Sequence, residues 1–220
     1  MNSLDNYLTQ IQQDGLKIDT VYDIGANRGH WGQQVKAGSL KNSFFYLFEG
    51  NPEHEQSLKN TGLPYYIGIL SSPNQTTVDY YKGGDSTGNS YYKENTYHYE
   101  GVAPVTMETR TLESVIQEAE LPIPNFIKID TQGSELDVLS GAENILGQVD
   151  LVYLECPIAK YNIGAPNIQD YLSYMRGQGF VASSLLEIHE GDHLLVQVDI
   201  MFINMRTRER LYGKAGITEL

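Results

Sequence analysis

Asp23-Ile24-Gly25-Ala26-Asn27-Arg28-Gly29 is the stretch whose reading decides the fold. It closes a mostly apolar run over 20–24 that reads as a short buried strand, and it opens a helix read over 28–37 and ended by Gly38. A glycine-bearing turn between strand and helix lets the backbone approach a ligand closely. The acid at the strand end is an acceptor for a charged or hydroxyl-bearing group. The stretch therefore predicts a nucleotide-like cofactor pocket.

Working outward, residues 44–48 form an aromatic, uninterrupted run, as a central parallel strand requires. Glu49-Gly50-Asn51-Pro52 closes it, and Pro52 suits the start of a helix. A third strand is read over 65–69. Strand, helix, strand, helix, strand is the pattern of a doubly wound α/β sheet with its strand ends on one rim. Upstream, Leu4, Leu8 and Ile11 recur at helical spacing behind Ser3, and Gly15 ends this N-terminal helix over 1–15.

Downstream, extended runs fall at 76–81 and 105–109, and Thr111 caps a helix. Residues 126–130 make a further buried strand, followed by a turn at 131–134 and a helix carried through Leu146. Residues 151–155 make another strand. A helix with Ile168, Tyr171, Leu172 and Met175 stops at Gly177 and Gly179. Strands at 182–188 and 194–203 meet at Glu190-Gly191-Asp192, which predicts an antiparallel hairpin. With no linker or repeat, the chain reads as one domain over 1–220.

Composition narrows the function classes. A net charge of −13 argues against a general nucleic-acid or anionic-membrane surface. The arginines at 206, 208 and 210 read as a solvated end. Cys156 is the one cysteine, so no internal disulfide forms and a reducing, cytoplasmic setting fits. The first residues lack the basic and apolar segments of a signal peptide, and no run approaches the roughly 20 apolar residues that span a bilayer.

Asp23, Glu49, Asp130 and Glu155 each end a strand. On adjacent parallel strands these acids share one rim, where a ligand or cation must satisfy them. Glu49, one strand-helix-strand step after the glycine turn, suits a grip on ribose hydroxyls. A dinucleotide fingerprint needs glycine where Asn27 stands, and Asn27 crowds a pyrophosphate. A sulfonium with an amino-acid tail suits Asp23 instead, which points to S-adenosyl-L-methionine.

Asp23 to Gly29, Phe48-Glu-Gly-Asn-Pro52, Ile127-Lys-Ile-Asp-Thr-Gln-Gly-Ser-Glu135 and Leu151-Val-Tyr-Leu-Glu155 together resemble the FkbM-type class I methyltransferases. The resemblance runs from about Asp19 to about Asn204. The chain departs from the pattern at Gln132, where an acid is common. The resemblance implies a Rossmann-like, seven-stranded, mostly parallel sheet with a terminal antiparallel hairpin. It implies methyl transfer from S-adenosylmethionine, usually to a hydroxyl of a sugar or secondary metabolite. By it, Asp23, Gly25, Asn27 and Gly29 line the methionine end, Glu49 binds ribose with Asn51 beside it, and Gly68, Ile69 and Leu70 face the adenine.

A hydroxyl acceptor must lose its proton, so a base or a metal is expected. Asp130 leads. Lys128 either keeps Asp130 ionised or only neutralises it, and Glu155 and His98 are the alternatives. The loop at 83–100 carries Tyr91, Tyr92, Tyr97 and Tyr99. It reads either as a lid over a sugar or aromatic acceptor, or as a segment packed down by its rings. His189-Glu-Gly-Asp-His193 matches a zinc motif that works only on a helix, and its predicted hairpin context leaves no metal site. The expected partner is a small-molecule or glycan acceptor. A cofactor-binding module without catalysis and an N-methyltransferase are the competing readings. The acceptor and the oligomeric state stay open.

Overall fold

The computed structural model describes residues 3–83, 87–191 and 193–213 of the chain. Its elements run α1 (Leu4–Gln13), β1 (Thr20–Ile24), α2 (His30–Ala37), β2 (Phe44–Glu49), a 3-10 turn (Pro52–His54), α3 (Glu55–Thr61), β3 (Tyr65–Ile67), β4 (Ile69–Leu70) and β5 (Thr77–Tyr80). A second 3-10 turn (Tyr97–Tyr99), β6 (Val105–Arg110), α4 (Leu112–Glu118), β7 (Phe126–Ile129), α5 (Glu135–Ser140), α6 (Glu143–Leu146) and β8 (Leu151–Pro157) follow. The last elements are α7 (Ile168–Gly177), β9 (Phe180–Gly191), β10 (Leu194–Asn204) and α8 (Met205–Tyr212).

Seven strands form one sheet in the order β3-β2-β1-β7-β8-β10-β9. β3, β2, β1, β7 and β8 are parallel, and β10 is antiparallel to both β8 and β9. This is the α/β sheet with a C-terminal hairpin that the sequence predicts. β1 is buried along its whole length, because helices cover both faces of the sheet. Tyr22, Ile24, Ile127 and Leu154 pack with residues of α4 to α7 on one face. Val21, Phe45, Phe126 and Tyr153 pack with residues of α1 and α2 on the other. Ser3 caps α1 and Thr111 caps α4, accepting from the Asn6 and Ser114 amides at 3.3 and 3.1 Å.

The chain winds outward from β1 to β3, then returns to β7 on the far side of β1. The ends of β1 and β7 flank this switch point, where open α/β sheets bind ligands.

Several boundaries differ from the sequence reading. The third strand is cut at Gly68. Its N–H still donates to the Glu49 carbonyl at 2.9 Å, but Ile69 and Leu70 leave to pair with β6 in a separate sheet, β4-β6-β5. Buried backbone groups take the partners within reach, and β6 supplies them. The helix expected through Leu146 is two, α5 and α6. At Gly141 the backbone passes so close to Ser71 that a Cβ would lie 2.4 Å from its carbonyl oxygen. α2 starts at His30 rather than Arg28, after Gly29 in the left-handed region. The three arginines lie on α8, and Arg206 and Arg210 reach Asp150 at 3.6 and 3.8 Å. Such exposed pairs are worth little. Met1 and Asn2, Gly84 of the loop and Asp192 of the hairpin turn lie outside the described residues.

Gly25 fixes how close β1 and β7 come. Its φ is 74°, its N–H donates to the Phe48 carbonyl at 3.0 Å, and a Cβ would lie 1.8 Å from the Asp130 carbonyl oxygen. The turn therefore crosses the end of β7 with no room for a side chain. Gly25→Ala is expected to destabilise the protein by about 3 kcal/mol or more, from the clash and the left-handed backbone together. Urea unfolding of the variant beside the parent protein checks this, and an unchanged midpoint contradicts it.

Candidate active site

A cavity of about 410 Å³ opens at the switch point. The turn after β1 contributes Gly25, Ala26, Asn27 and Arg28; β2 contributes Phe48 and Glu49. Gly68, Ile69 and Leu70 form an uncharged wall, and Lys128, Asp130, Gln132 and Glu155 form the polar one. Thr87, Asn89, Ser90 and Tyr91 close it from the loop. Of the residues singled out from sequence, Gly25, Asn27, Glu49, Gly68, Ile69, Leu70, Lys128, Asp130 and Glu155 line this cavity. Asp23, Gly29, Asn51 and His98 do not.

Glu49 is buried at the end of β2. Its Oε2 accepts from the Asn27 N–H at 2.6 Å and its Oε1 from the Asn51 N–H at 2.8 Å. One carboxylate thus pins the glycine turn to β2. Each oxygen keeps acceptor capacity for a hydroxyl in the cavity. Asn51 itself is buried and caps the first 3-10 turn, accepting from the Glu53 amide at 3.1 Å.

Asp23 is sealed behind the cavity. A Cβ on Gly32 of α2 would lie 3.1 Å from its Oδ2, so the helix closes directly over it. Its Oδ1 lies 3.3 Å from Lys128 Nζ. The same ammonium lies 3.3 Å from Asp130 Oδ2, donates to the Gly25 carbonyl at 3.3 Å, and sits 5.7 Å from the centre of the Trp31 ring. Burial opposes the lysine charge, but the Asp130 and Asp23 carboxylates outweigh it and hold the pKa above the ordinary lysine range. Lys128 is a fixed cation rather than a base. Gly29 faces away from the cavity, where a Cβ would meet Thr61, Leu47 and Leu58.

Asp130 has a side chain 37% exposed. Gln132 adopts a left-handed φ of 57°, and its Nε2 donates to Asp130 Oδ1 at 2.8 Å and to Glu155 Oε2 at 2.6 Å. Gln197 Nε2 donates to Glu155 Oε1, and Tyr161 donates to Gln197 Oε1 at 2.6 Å. Burial first, and then the charges of Asp130, Glu135 and Asp199, push the Glu155 carboxyl well above the usual carboxylate range. Glu135 holds the turn beneath: it accepts from the Thr131 amide at 2.7 Å and the Gly133 amide at 3.0 Å, and Tyr171 donates to it.

The loop tyrosines pack it down. Tyr91 and Tyr92 both donate to Asp137 Oδ2, at 3.0 and 2.8 Å, and Tyr99 is buried. Tyr97 is 79% exposed, its ring centre lies 3.9 Å from that of His98, and His98 is exposed and off the cavity. His189 and His193 do not share a helix: His189 lies on β9 and His193 follows it with φ 62°. His189 faces Asp199 at 3.4 Å and Glu187 at 3.8 Å instead.

Sequence reasoning missed Arg28, His30, Trp31, Tyr80 and Gln132 as cavity residues. Gln132 had a signal, its place inside the Asp130 block. Tyr80 had none, because only the second sheet brings it there.

The comparisons with known proteins follow this geometry. Residues 23–182 match the model of the methyltransferase FkbM domain. The hexuronic acid methyltransferase AglP of Haloferax volcanii is 29% identical over 144 residues, covering 62% of this chain and 55% of that protein, so the chain spans about half of that relative's length. A crystal structure of methyltransferase FkbM from Methylobacillus flagellatus KT aligns with TM-score 0.51 at 16% identity, over 88% of this chain and 47% of that one. Magnesium protoporphyrin IX methyltransferase from Synechocystis PCC 6803 aligns with TM-score 0.51 at 7% identity, over 91% and 81%. At such identities the structures share the fold. The family match takes in well over half of the chain, and by it the chain belongs to the FkbM methyltransferase family, whose methyl donor is S-adenosylmethionine.

Proposed function

We propose that the chain is an O-methyltransferase acting on a hydroxyl of a sugar or glycan. The observation that carries this is Asp130, a partly exposed carboxylate on the cofactor cavity with a fixed cation beside it. The sugar-acid substrate named for the Haloferax relative supports a carbohydrate acceptor.

The cavity's donor set fits S-adenosylmethionine. Glu49 offers carboxylate oxygens to a ribose diol, Gly68, Ile69 and Leu70 offer an uncharged wall to adenine, and the backbone of the Gly25–Asn27 turn faces the methionine end. Asp23 acts from behind, through Lys128. When bound, the cofactor supplies a methyl group already activated on a sulfonium, so the protein mainly positions the acceptor and takes its proton. Asp130 takes that proton. Lys128 sits 3.3 Å from Asp130 and, its own pKa held up by the two carboxylates, does not compete for the proton. The loop at 83–100 forms the acceptor side of the cavity through Asn89, Ser90 and Tyr91. We assign the whole chain to one domain acting in the cytoplasm, a setting that suits its buried Cys156 thiol. Among the described residues, no helix is long and apolar enough to cross a membrane.

Two variants separate binding from chemistry. Glu49→Ala is expected to weaken S-adenosylhomocysteine binding about 10- to 100-fold in calorimetry, the worth of hydrogen bonds to a charged group. Normal affinity would remove the ribose assignment. Asp130→Asn is expected to bind S-adenosylhomocysteine as the parent does while turnover of a glycan acceptor falls about 10²- to 10⁴-fold. Unchanged turnover, or methyl found on nitrogen in the product, contradicts the proposed chemistry.

A further inference from the structure

We propose that Gln132 is a positioning residue that ties Asp130 and Glu155 into one unequal pair, by giving one amide proton of Nε2 to each carboxylate. The inference deepens the O-methyltransferase reading and rests on it for its catalytic meaning.

The geometry is specific. Gln132 lies two residues after Asp130, and its Nε2 reaches Asp130 Oδ1 at 2.8 Å and Glu155 Oε2 at 2.6 Å. A side-chain amide has two donor protons, so both are spent. To reach both acids the residue takes φ 57°, a left-handed conformation that a non-glycine residue adopts at a cost of roughly 1 kcal/mol or more. The turn around it is built to hold that conformation. Glu135, itself buried, accepts from the amides on either side of Gln132, those of Thr131 and Gly133.

The two acids are then treated differently. Asp130 Oδ2 has the Lys128 ammonium at 3.3 Å. Among the described residues Glu155 is bonded only by neutral amides, those of Gln132 and Gln197, and carries the other charges of the cluster as neighbours: Asp130, Glu135 and Asp199 repel it, and Lys128 partly offsets them. An amide between two carboxylates satisfies an oxygen on each without adding charge. It fixes their separation and leaves Asp130 Oδ2, beside Lys128, as the oxygen to receive a proton from the acceptor. Glu155 lines the same cavity, and burial makes it take up a proton more readily than an ordinary glutamate. A cation in place of Gln132 would favour the ionised form of both acids, and a third carboxylate would disfavour it.

The test reads the carboxyl groups directly, without an acceptor. Glutamate is labelled with carbon-13 at the side-chain carboxyl, and Glu155 is followed through a pH titration by NMR. Gln132→Gly removes the amide and also relieves the left-handed backbone, so the fold is spared. Gln132→Glu adds the third carboxylate. The Glu155 midpoint is expected to rise by at least about half a pH unit in the glycine variant and by more in the glutamate variant, because each removes a donor to the anion. Turnover with the glycan acceptor is expected to fall at least about tenfold in both, with its acid limb moved to higher pH and S-adenosylhomocysteine affinity unchanged. A Glu155 midpoint that stays in place in both variants overturns the inference. If the midpoints move and no sugar hydroxyl is methylated by the parent protein, the amide bridge stands and the O-methyltransferase reading fails.

Discussion

A lysine buried between two carboxylates is the interaction on which the site depends. Lys128 Nζ stands 3.3 Å from an oxygen of Asp23, 3.3 Å from an oxygen of Asp130, and donates to the Gly25 carbonyl. Those groups belong to the last residues of β1, the end of β7 and the glycine turn. No apolar contact would fix all three at once, since dispersion is non-directional. Pairs of this kind contribute little net stability, because desolvation offsets attraction, but losing one partner strands a buried charge. That asymmetry makes the arrangement a registry device: the turn, β1 and β7 are held in one relation or none.

The consequence for function is a division among acids that look alike along the chain. Four carboxylates lie at or near the ends of four neighbouring strands. Asp23 is consumed inside, closed off by Gly32 and matched to Lys128. Glu49 is spent on the Asn27 and Asn51 amides with capacity left toward the cavity. Asp130 is partly exposed beside a cation, and Glu155 accepts from the neutral amides of Gln132 and Gln197. Position on the rim is shared; environment gives each a different chemistry. The second sheet adds the outer wall, since the departure of β4 from the main sheet carries Ile69 and Leu70 onto the cavity.

Much of this was legible in the sequence, for identifiable reasons. The run at 44–48 is apolar on both faces and the one at 126–129 is apolar but for Lys128, so the two announced a covered parallel sheet. Gly25 and Glu49 were legible because a close backbone crossing and a strand-end acid each leave a local mark. What failed was non-local. The inward fate of Asp23 depends on Gly32 and Lys128, which only the packing of α2 and β7 brings to it. The break at Gly68 depends on β6, some forty residues away. His98 looked like a base over the cavity, yet its loop is anchored through Tyr91 and Tyr92 to Asp137, and His98 lies outside against Tyr97. The tyrosine cluster allowed two readings from sequence; the hydroxyl partners give Tyr91 and Tyr92 an anchoring role. Gln132 was visible as a departure from the family pattern, but its bridge to Glu155 joins separate strands.

The most direct measurement of the central claim is a double-mutant cycle on the buried pair, read by urea unfolding and by S-adenosylhomocysteine calorimetry. Lys128→Met alone strands Asp23 and is predicted to cost about 3–5 kcal/mol and to weaken cofactor binding. Adding Asp23→Asn removes the stranded charge, and the double variant is predicted to recover more than about 1 kcal/mol relative to the sum of the single changes. A Lys128→Met protein with the parent's stability and cofactor affinity, or single changes that simply add, would contradict the account.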